Sequence, residues 1–216
     1  MPVPTVVLVD DDAVIREAVA MLLDTAGLRC RTHDSAESFL ASWHPDEAGC
    51  LLLDICMPGM GGEALHQELR RRADGRPVIY MSAYGDVPTT VRAMQTGAMD
   101  FLTKPVNGAE LVERVREALE RDRQIRQRLS LRREFQDRLA RLTERERDIL
   151  DRALAGHSSK EIGQALGVSF RTVEAHRSHI LLKTGVRSLL ELAGLAEEAG
   201  VTLRAPGGAG EGPASA

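Results

Sequence analysis

The chain has 216 residues, room for two modest domains. Hydrophobic residues make up 43% and charged residues 28%, which excludes a collagen, a disulfide scaffold and wholesale disorder. The net charge of −4 is partitioned: residues 1–112 carry −7, residues 113–142 carry +4 and residues 143–216 carry −1.

The first stretch, MPVPTVVLVDDD, has no basic segment, and its apolar run is too short for a secretory signal. No apolar run approaches the ~20 residues of a membrane span. Cys30, Cys50 and Cys56 are odd in number and lack metal-type spacing. Reduced thiols, a cytoplasmic location and no membrane partner are the expectations. Aromatics at 3% argue against a stacking platform for single-stranded nucleic acid.

TVVLVD (5–10), CLLLD (50–54), VIYMS (78–82) and DFLT (100–103) are short apolar runs, which suit strands buried on both faces of a parallel sheet. LRCRTH (28–33) alternates and reads as an edge strand. Helical stripes lie between them: Val14, Ala18, Met21 and Leu22; Phe39 and Leu40, with Ser35 as N-cap; Leu65 and Leu69; Val91 and Met94; and Leu111, Val115 and Leu119. Five strands alternating with five helices predict a doubly wound α/β domain, whose functional groups collect beyond the carboxyl ends of the strands.

Asp10, Asp11 and Asp12 end the first strand, Asp54 the third and Ser82 the fourth, while Lys104 follows the fifth. Capping is the simpler reading of any one of them; their convergence from separate strands favours a site. Clustered carboxylates raise one another's pKa unless a cation neutralises them, and hard oxygen ligands suit Mg²⁺. One carboxylate could then attack phosphorus, with the ammonium and hydroxyl on the phosphoryl oxygens.

VLVDDD, LLLDICMPGMGG, VIYMSAYGD and DFLTKP resemble, in order and spacing, the receiver domain of two-component response regulators. The resemblance covers residues 5 to about 121. It implies a flavodoxin-like five-stranded sheet of order 2-1-3-4-5. It implies that Asp54 accepts a phosphoryl group from a sensor histidine kinase, and that Asp11, Asp12, Asp54 and the Cys56 backbone carbonyl hold Mg²⁺. Lys104 would pair with the phosphoryl group and Ser82 would hydrogen-bond it. Phe101 occupies the aromatic switch position, without the hydroxyl of the commoner Tyr. The Lys104–Pro105 bond is expected to be cis. Cys56 and Tyr84 either tune water access to the acyl phosphate or line the rim. Pro58, Gly59, Gly61 and Gly62 read as a shaped loop, and His33, His44 and His66 as surface residues.

Asp10-Asp11-Asp12-Ala13-Val14 also resembles the nucleophile motif of haloacid-dehalogenase-type phosphatases, with Asp10 and Asp12 as the reacting pair. That alternative lacks an acidic motif after Lys104 and room for a cap insertion, and it leaves Asp54 idle. The expectation is therefore not an enzyme beyond self-phosphorylation and slow autodephosphorylation.

Gly108 to Arg141 has no proline and no internal glycine and reads as one long helix. Leu111, Val115, Ala118, Ile125, Leu129 and Leu139 follow a 4-3 seam that Asp122, Arg132 and Gln136 interrupt. A solvated linker helix laced with Glu–Arg pairs fits better than a stable coiled coil.

Thr143/Glu146, Ser158/Glu161 and Ser188/Glu191 have capping-box spacing, and Ser169 is a further N-cap. They predict helices over 143–155, 159–166, 169–184 and 188–199, with Gly156, Gly167, Gly185 and Gly200 just past their ends. The short turn at Gly167–Val168 reads as a helix-turn-helix. LTERERDIL and TVEAHR, within a stretch of about 140–200, resemble the LuxR-type four-helix DNA-binding domain. With the receiver they resemble the FixJ/NarL subfamily of response regulators. Thr184 departs from the family's large apolar residue. The resemblance puts the third of these helices in the major groove. Glu174, Ala175 and Ser178 would face bases, Lys160, Arg171, Thr172, Arg177 and Lys183 would reach phosphates, and His176 would pack or bond locally.

The domain expectation is a receiver over 1–121, a linker over 122–141, a DNA-binding domain over 142–204 and a disordered tail over 205–216. The implied function is a phosphorylation-dependent transcriptional regulator, activation being the commoner outcome in the family. Its implied partners are the kinase, double-stranded DNA with two-fold-related half-sites, RNA polymerase, and a second copy. The copies would pair through the face of the fourth predicted helix, fifth strand and fifth predicted helix.

Overall fold

The computed structural model describes residues 3–83 and 95–203. The predicted helix at Val91 and Met94, Tyr84 and the tail over 205–216 lie outside the described residues. The chain divides into two compact units, Met1–Arg126 and Gln127–Ala216.

The first unit holds β1 (Thr5–Val9), α1 (Ala13–Thr25), β2 (Cys30–His33), α2 (Ala36–Ala41), β3 (Gly49–Asp54), α3 (Gly62–Arg71), β4 (Val78–Ser82) and β5 (Asp100–Thr103). The long helix α4 (Gly108–Ala140) begins here. All five strands are parallel, in the order β2-β1-β3-β4-β5, as expected. The alternating LRCRTH segment is indeed an edge. The period of two sends Val7, Val9, Leu51, Leu53 and Tyr80 to one face, against Phe39, Leu65 and Leu69. Val6, Leu8, Leu52, Ile79 and Met81 go to the other, against Val19 and Leu23 of α1 and Leu111 and Val115 of α4. Burying each such side chain contributes about 1.5–3 kcal/mol, so both faces anchor the strand ends.

Two details correct the sequence reading. On α1 the stripe of Val14, Ala18 and Met21 is exposed, and Val19 and Leu23 face the core with Ile15 and Leu22 beside them. His66 is buried, its Nδ1 2.9 Å from the Tyr80 hydroxyl. Burial, and then the nearby Arg70, push its pKa below the ordinary histidine value.

The interrupted seam of α4 has a plain cause: the helix serves two cores in turn. Leu111, Val115 and Ala118 belong to the first unit, while Phe135 and Leu139 belong to the second. Asp122 is buried, accepts the Gly49 N–H at 2.9 Å and pairs with Arg126 at 2.8 Å. A carboxylate at that seam position fastens the helix to the start of β3.

The second unit continues with α5 (Glu144–Leu154), α6 (Ser159–Leu166), α7 (Phe170–Thr184) and α8 (Leu189–Glu198). Thr143 and Ser158 form complete capping boxes. Ser188 caps Glu191 N–H, but the Glu191 carboxylate takes the Arg187 N–H instead. Gly167, between α6 and α7, has φ +66, the left-handed conformation that makes the turn tight. Thr184 is fully buried, and its hydroxyl donates to the Ile180 carbonyl at 2.6 Å, so the departure from an apolar residue leaves no orphan. No helix among the described residues is long and apolar enough to cross a membrane.

Candidate functional site: an acidic pocket and a recognition helix

A parallel sheet delivers all its carboxyl ends to one edge. At that edge Asp10, Asp11 and Asp54 each bring a carboxylate oxygen within 4.8 Å of the others. Asp10 is fully buried, Asp54 is 6% exposed and Asp11 is exposed. Lys104 bridges the buried pair, with Nζ 2.7 Å from Asp10 Oδ2 and 3.1 Å from Asp54 Oδ2. Burial raises the Asp54 pKa, with Asp10 adding to it, and the Lys104 ammonium offsets only part. Burial alone would lower the Lys104 pKa, but its bonds to Asp10 and Asp54 outweigh that and raise it.

Backbone contacts shape the rest of the pocket. The Cys56 N–H donates to Asp54 Oδ1 at 3.3 Å, and the Cys56 side chain is exposed. Lys104 N–H donates to the Ser82 carbonyl at 2.7 Å, and the following Lys104–Pro105 bond is cis, as expected. Ser82 is buried, in register with Thr103, and Phe101 is half-buried, in register with Tyr80. A Cβ on Gly62 would lie 2.2 Å from the Asp54 carbonyl oxygen. Only glycine lets the loop close so tightly behind the acidic residue.

The second constellation is α7. Arg171, Thr172, Glu174, Ala175 and Ser178 are exposed along it, and Lys160 is exposed on α6. Several of its polar groups already have partners within the unit. Ser159 Oγ donates to Glu174 Oε1, and Arg177 Nη1 donates to Ser159 Oγ at 3.0 Å. Ser178 Oγ donates to the Glu174 carbonyl at 3.1 Å. Lys183 Nζ holds Glu146 Oε2 at 2.6 Å. The α6–turn–α7 unit is close-packed: a Cβ on Gly163 would lie 2.8 Å from the Val168 carbonyl oxygen.

Residues 6–116 match the response regulator receiver domain, and residues 140–196 match the bacterial regulatory proteins of the luxR family. The chain belongs to the two-component response regulators of the FixJ/NarL type. This response regulator is 40% identical to the transcriptional regulatory protein TdiR of Thauera aromatica over 188 residues, covering 87% of this chain and 83% of the relative. It is 40% identical to the transcriptional regulatory protein FixJ of Azorhizobium caulinodans over 194 residues, covering 90% and 92%. Among solved structures it is similar to the response regulator StyR, with TM-score 0.84 and 38% identity over 91% of this chain and all of that one. It is also similar to full-length FixJ from B. japonicum, with TM-score 0.57 and 32% identity over 93% and 98%. The phosphatase alternative finds no support here, and Asp54, which it leaves idle, is paired within the cluster.

In this response regulator the acidic trio is shifted by one from the sequence expectation. Asp12 is the N-cap of α1, its Oδ1 accepting the Val14 N–H at 2.8 Å and the Ile15 N–H at 3.4 Å. Asp10, absent from the expected ligands, joins Asp11 and Asp54. The signal was present in the sequence: an aspartate immediately before an amphipathic helix is an N-cap, which leaves the preceding pair for the pocket. Receiver domains as a family bind Mg²⁺ at this pocket, and an all-carboxylate donor set fits that hard ion.

Proposed function

We propose that the chain is a phosphorylation-dependent transcriptional regulator in which Asp54 is the phosphoacceptor. The convergence of Asp10, Asp11, Asp54 and Lys104 at one sheet edge, in the same chain as a LuxR-type domain, carries this reading. An Asp54 oxygen attacks the phosphorus of a phosphohistidine on a sensor kinase. The bond from phosphorus to the imidazole nitrogen breaks, and its electron pair returns to the imidazole. Lys104, already 3.1 Å from Asp54 Oδ2, then faces the phosphoryl oxygens. Asp10, Asp11, Asp54 and the Cys56 carbonyl would hold Mg²⁺, which when bound withdraws charge from the phosphoryl group. Slow attack by water breaks the bond from phosphorus to the Asp54 oxygen, releases phosphate and restores the carboxylate; self-phosphorylation and this hydrolysis are the self-catalysis assigned to the chain.

Ser82 and Phe101 are the proposed switch, coupling the phosphoryl group to pairing with a second copy. The dimer presents two α7 helices to two-fold-related half-sites on duplex DNA. Arg171, Thr172 and Lys160 are the proposed phosphate contacts, and Ala175 and Ser178 face bases. Glu174, Arg177 and Lys183 join them by exchanging their internal partners. The proposed outcome is activation of transcription, with RNA polymerase as the further partner, in the cytoplasm.

Acetyl phosphate with Mg²⁺ tests the acceptor. The wild type is expected to be labelled and to bind duplex DNA more tightly, and Asp54→Asn to do neither. Equal labelling of Asp54→Asn would sink the assignment.

A further inference from the structure

Three side chains of the second unit meet at a place that has no part in phosphoryl transfer. Glu146 lies in the first turn of α5, and His176 and His179 lie one turn apart on α7. One ligand atom from each falls within 4.8 Å of the other two. Glu146 is buried, His176 half-buried and His179 exposed, so the cluster runs from core to solvent.

A second observation concerns His176 itself. His176 Nδ1 is buried without a hydrogen-bond partner. A buried ring nitrogen that lacks a partner costs free energy, and most such groups in folded proteins have one. Glu146 is already bound by the Thr143 N–H at 2.8 Å and the Lys183 ammonium at 2.6 Å, and both bonds fall on Oε2. A carboxylate offers about four lone-pair sites, so its other oxygen retains acceptor capacity.

The geometry points to a site for a divalent transition-metal ion held by Glu146, His176 and His179. Two imidazoles and one carboxylate suit Zn²⁺, whereas Mg²⁺ favours an all-oxygen set such as the acidic pocket. His176 binds through Nδ1, Glu146 through the oxygen that Lys183 does not hold, and His179 closes the site from the solvent side. Three protein ligands leave a position for water. The ion ties the start of α5 to the middle of α7 and gives the orphaned nitrogen its partner. The site therefore steadies the recognition helix, and it stands independently of the phosphorylation reading.

The test uses the untagged full-length chain carrying Cys56→Ser, so that the exposed thiol cannot compete, in excess Mg²⁺ to occupy the acidic pocket. Zn²⁺ is titrated in competition with a chromophoric chelator, and thermal unfolding is followed with and without the metal. A single equivalent is expected to bind and to raise the unfolding temperature. His179→Ala changes an exposed side chain and is expected to weaken binding by more than about tenfold, since even outer-shell partners of a metal are worth 10–100-fold. Co²⁺ is expected to give a visible absorption band that His179→Ala abolishes. Equal Zn²⁺ affinity in the two proteins, or no metal-dependent rise in unfolding temperature, overturns the site. His176→Ala is expected to weaken binding likewise, and should it fail to fold, the His179→Ala result decides alone.

Discussion

At the carboxyl edge of the sheet Asp10 is fully buried and Asp54 nearly so, whereas along α7 Arg171, Thr172, Ala175 and Ser178 stand in solvent. The two regions therefore gather polar groups under different rules. A buried carboxylate must find its counter-charge inside the fold, and Lys104 supplies it to both acids at once. An exposed helix face has no such obligation, so internal partners can hold or release its side chains at small cost. The pocket is thus preorganised for charge, while α7 is tuned by which of its groups the unit keeps for itself.

Removing the shared cation should separate the two regions most sharply. Lys104→Met leaves Asp10 and Asp54 facing each other without an ammonium. Phosphorylation by acetyl phosphate is expected to slow about 100-fold, the usual scale for losing one charge-stabilising donor. Urea unfolding is expected to lose about 3 kcal/mol, as when a buried pair is broken. Binding of duplex DNA by the unphosphorylated chain should not change. A rate within tenfold of wild type would place the ammonium outside the chemistry.

The opposite, amino-terminal edge of the same sheet provides a control without phosphoryl chemistry. Arg76 and Asp74 pair at 2.6 Å, both side chains almost fully buried, and Trp43 Nε1 donates to Asp74 at 2.7 Å. Burial alone would raise the Asp74 pKa, but Arg76 and Trp43 outweigh it and hold the carboxyl below its ordinary range. Because the folded pKa is depressed, the stabilisation is complete above the ordinary carboxylate pKa, near 4, and is lost as pH falls through the folded value. Asp74→Asn is expected to cost about 3 kcal/mol at pH 7 and to flatten the acid limb of the stability curve. Fluorescence of Trp43, the one tryptophan in the chain, follows this in urea. Labelling of Asp54 should be unaffected, and a parallel loss of labelling would show that the two edges are coupled.

The two regions were also unequally legible in the sequence. The strands themselves, the sheet-edge cluster and all four C-terminal helices follow from apolar periods, strand ends and caps, because those signals are local, whereas the strand order came only with the resemblance to receiver domains. The misread residues are those whose role depends on a neighbour distant in sequence or on a single residue of phase. Asp12, expected as a ligand, caps α1, and Asp10 stands beside Asp11 and Asp54, because three aspartates in a row give composition without register. The apolar stripe of α1 is real, but its neighbours Val19 and Leu23 are the ones that meet the sheet. His66 reads as a surface residue until Tyr80 of β4 is seen beside it. Ser159 reads as one more early helical residue, yet it is buried and joins Glu174 to Arg177 across two helices.

That serine offers a gentler test on the DNA-binding side. Ser159→Ala removes the hydroxyl that Glu174 and Arg177 share, leaving their 4.0 Å contact with each other and the Ser158 cap in place. Thermal unfolding followed by circular dichroism is expected to show a loss of about 1.5 kcal/mol, the scale for hydrogen bonds to charged groups. Duplex DNA should be bound at least as tightly by the variant, because Glu174 and Arg177 no longer give up Ser159 to reach it. Unchanged stability would mean that solvent replaces Ser159 at no cost.

The smallest effect compares two caps within the second unit. Ser158 has φ −69 and Ser188 has φ −151. In the first the Glu161 carboxylate reaches the Ser158 N–H at 2.7 Å; in the second, Glu191 reaches the Arg187 N–H at 2.7 Å. Thr143, with φ −68, also forms the complete box. Rotation about φ swings the cap residue's own N–H relative to the helix, so backbone conformation selects which amide the carboxylate satisfies. Glu161→Ala and Glu191→Ala should each lower the unfolding temperature only slightly, since an exposed carboxylate is lost in a cap whose serine still holds the helix start. Amide hydrogen exchange separates them: Glu161→Ala should speed exchange at Ser158, and Glu191→Ala at Arg187 with Ser188 unchanged. Faster exchange at Ser188 itself would show that its box closes in solution, and that backbone conformation is not what distinguishes the two caps.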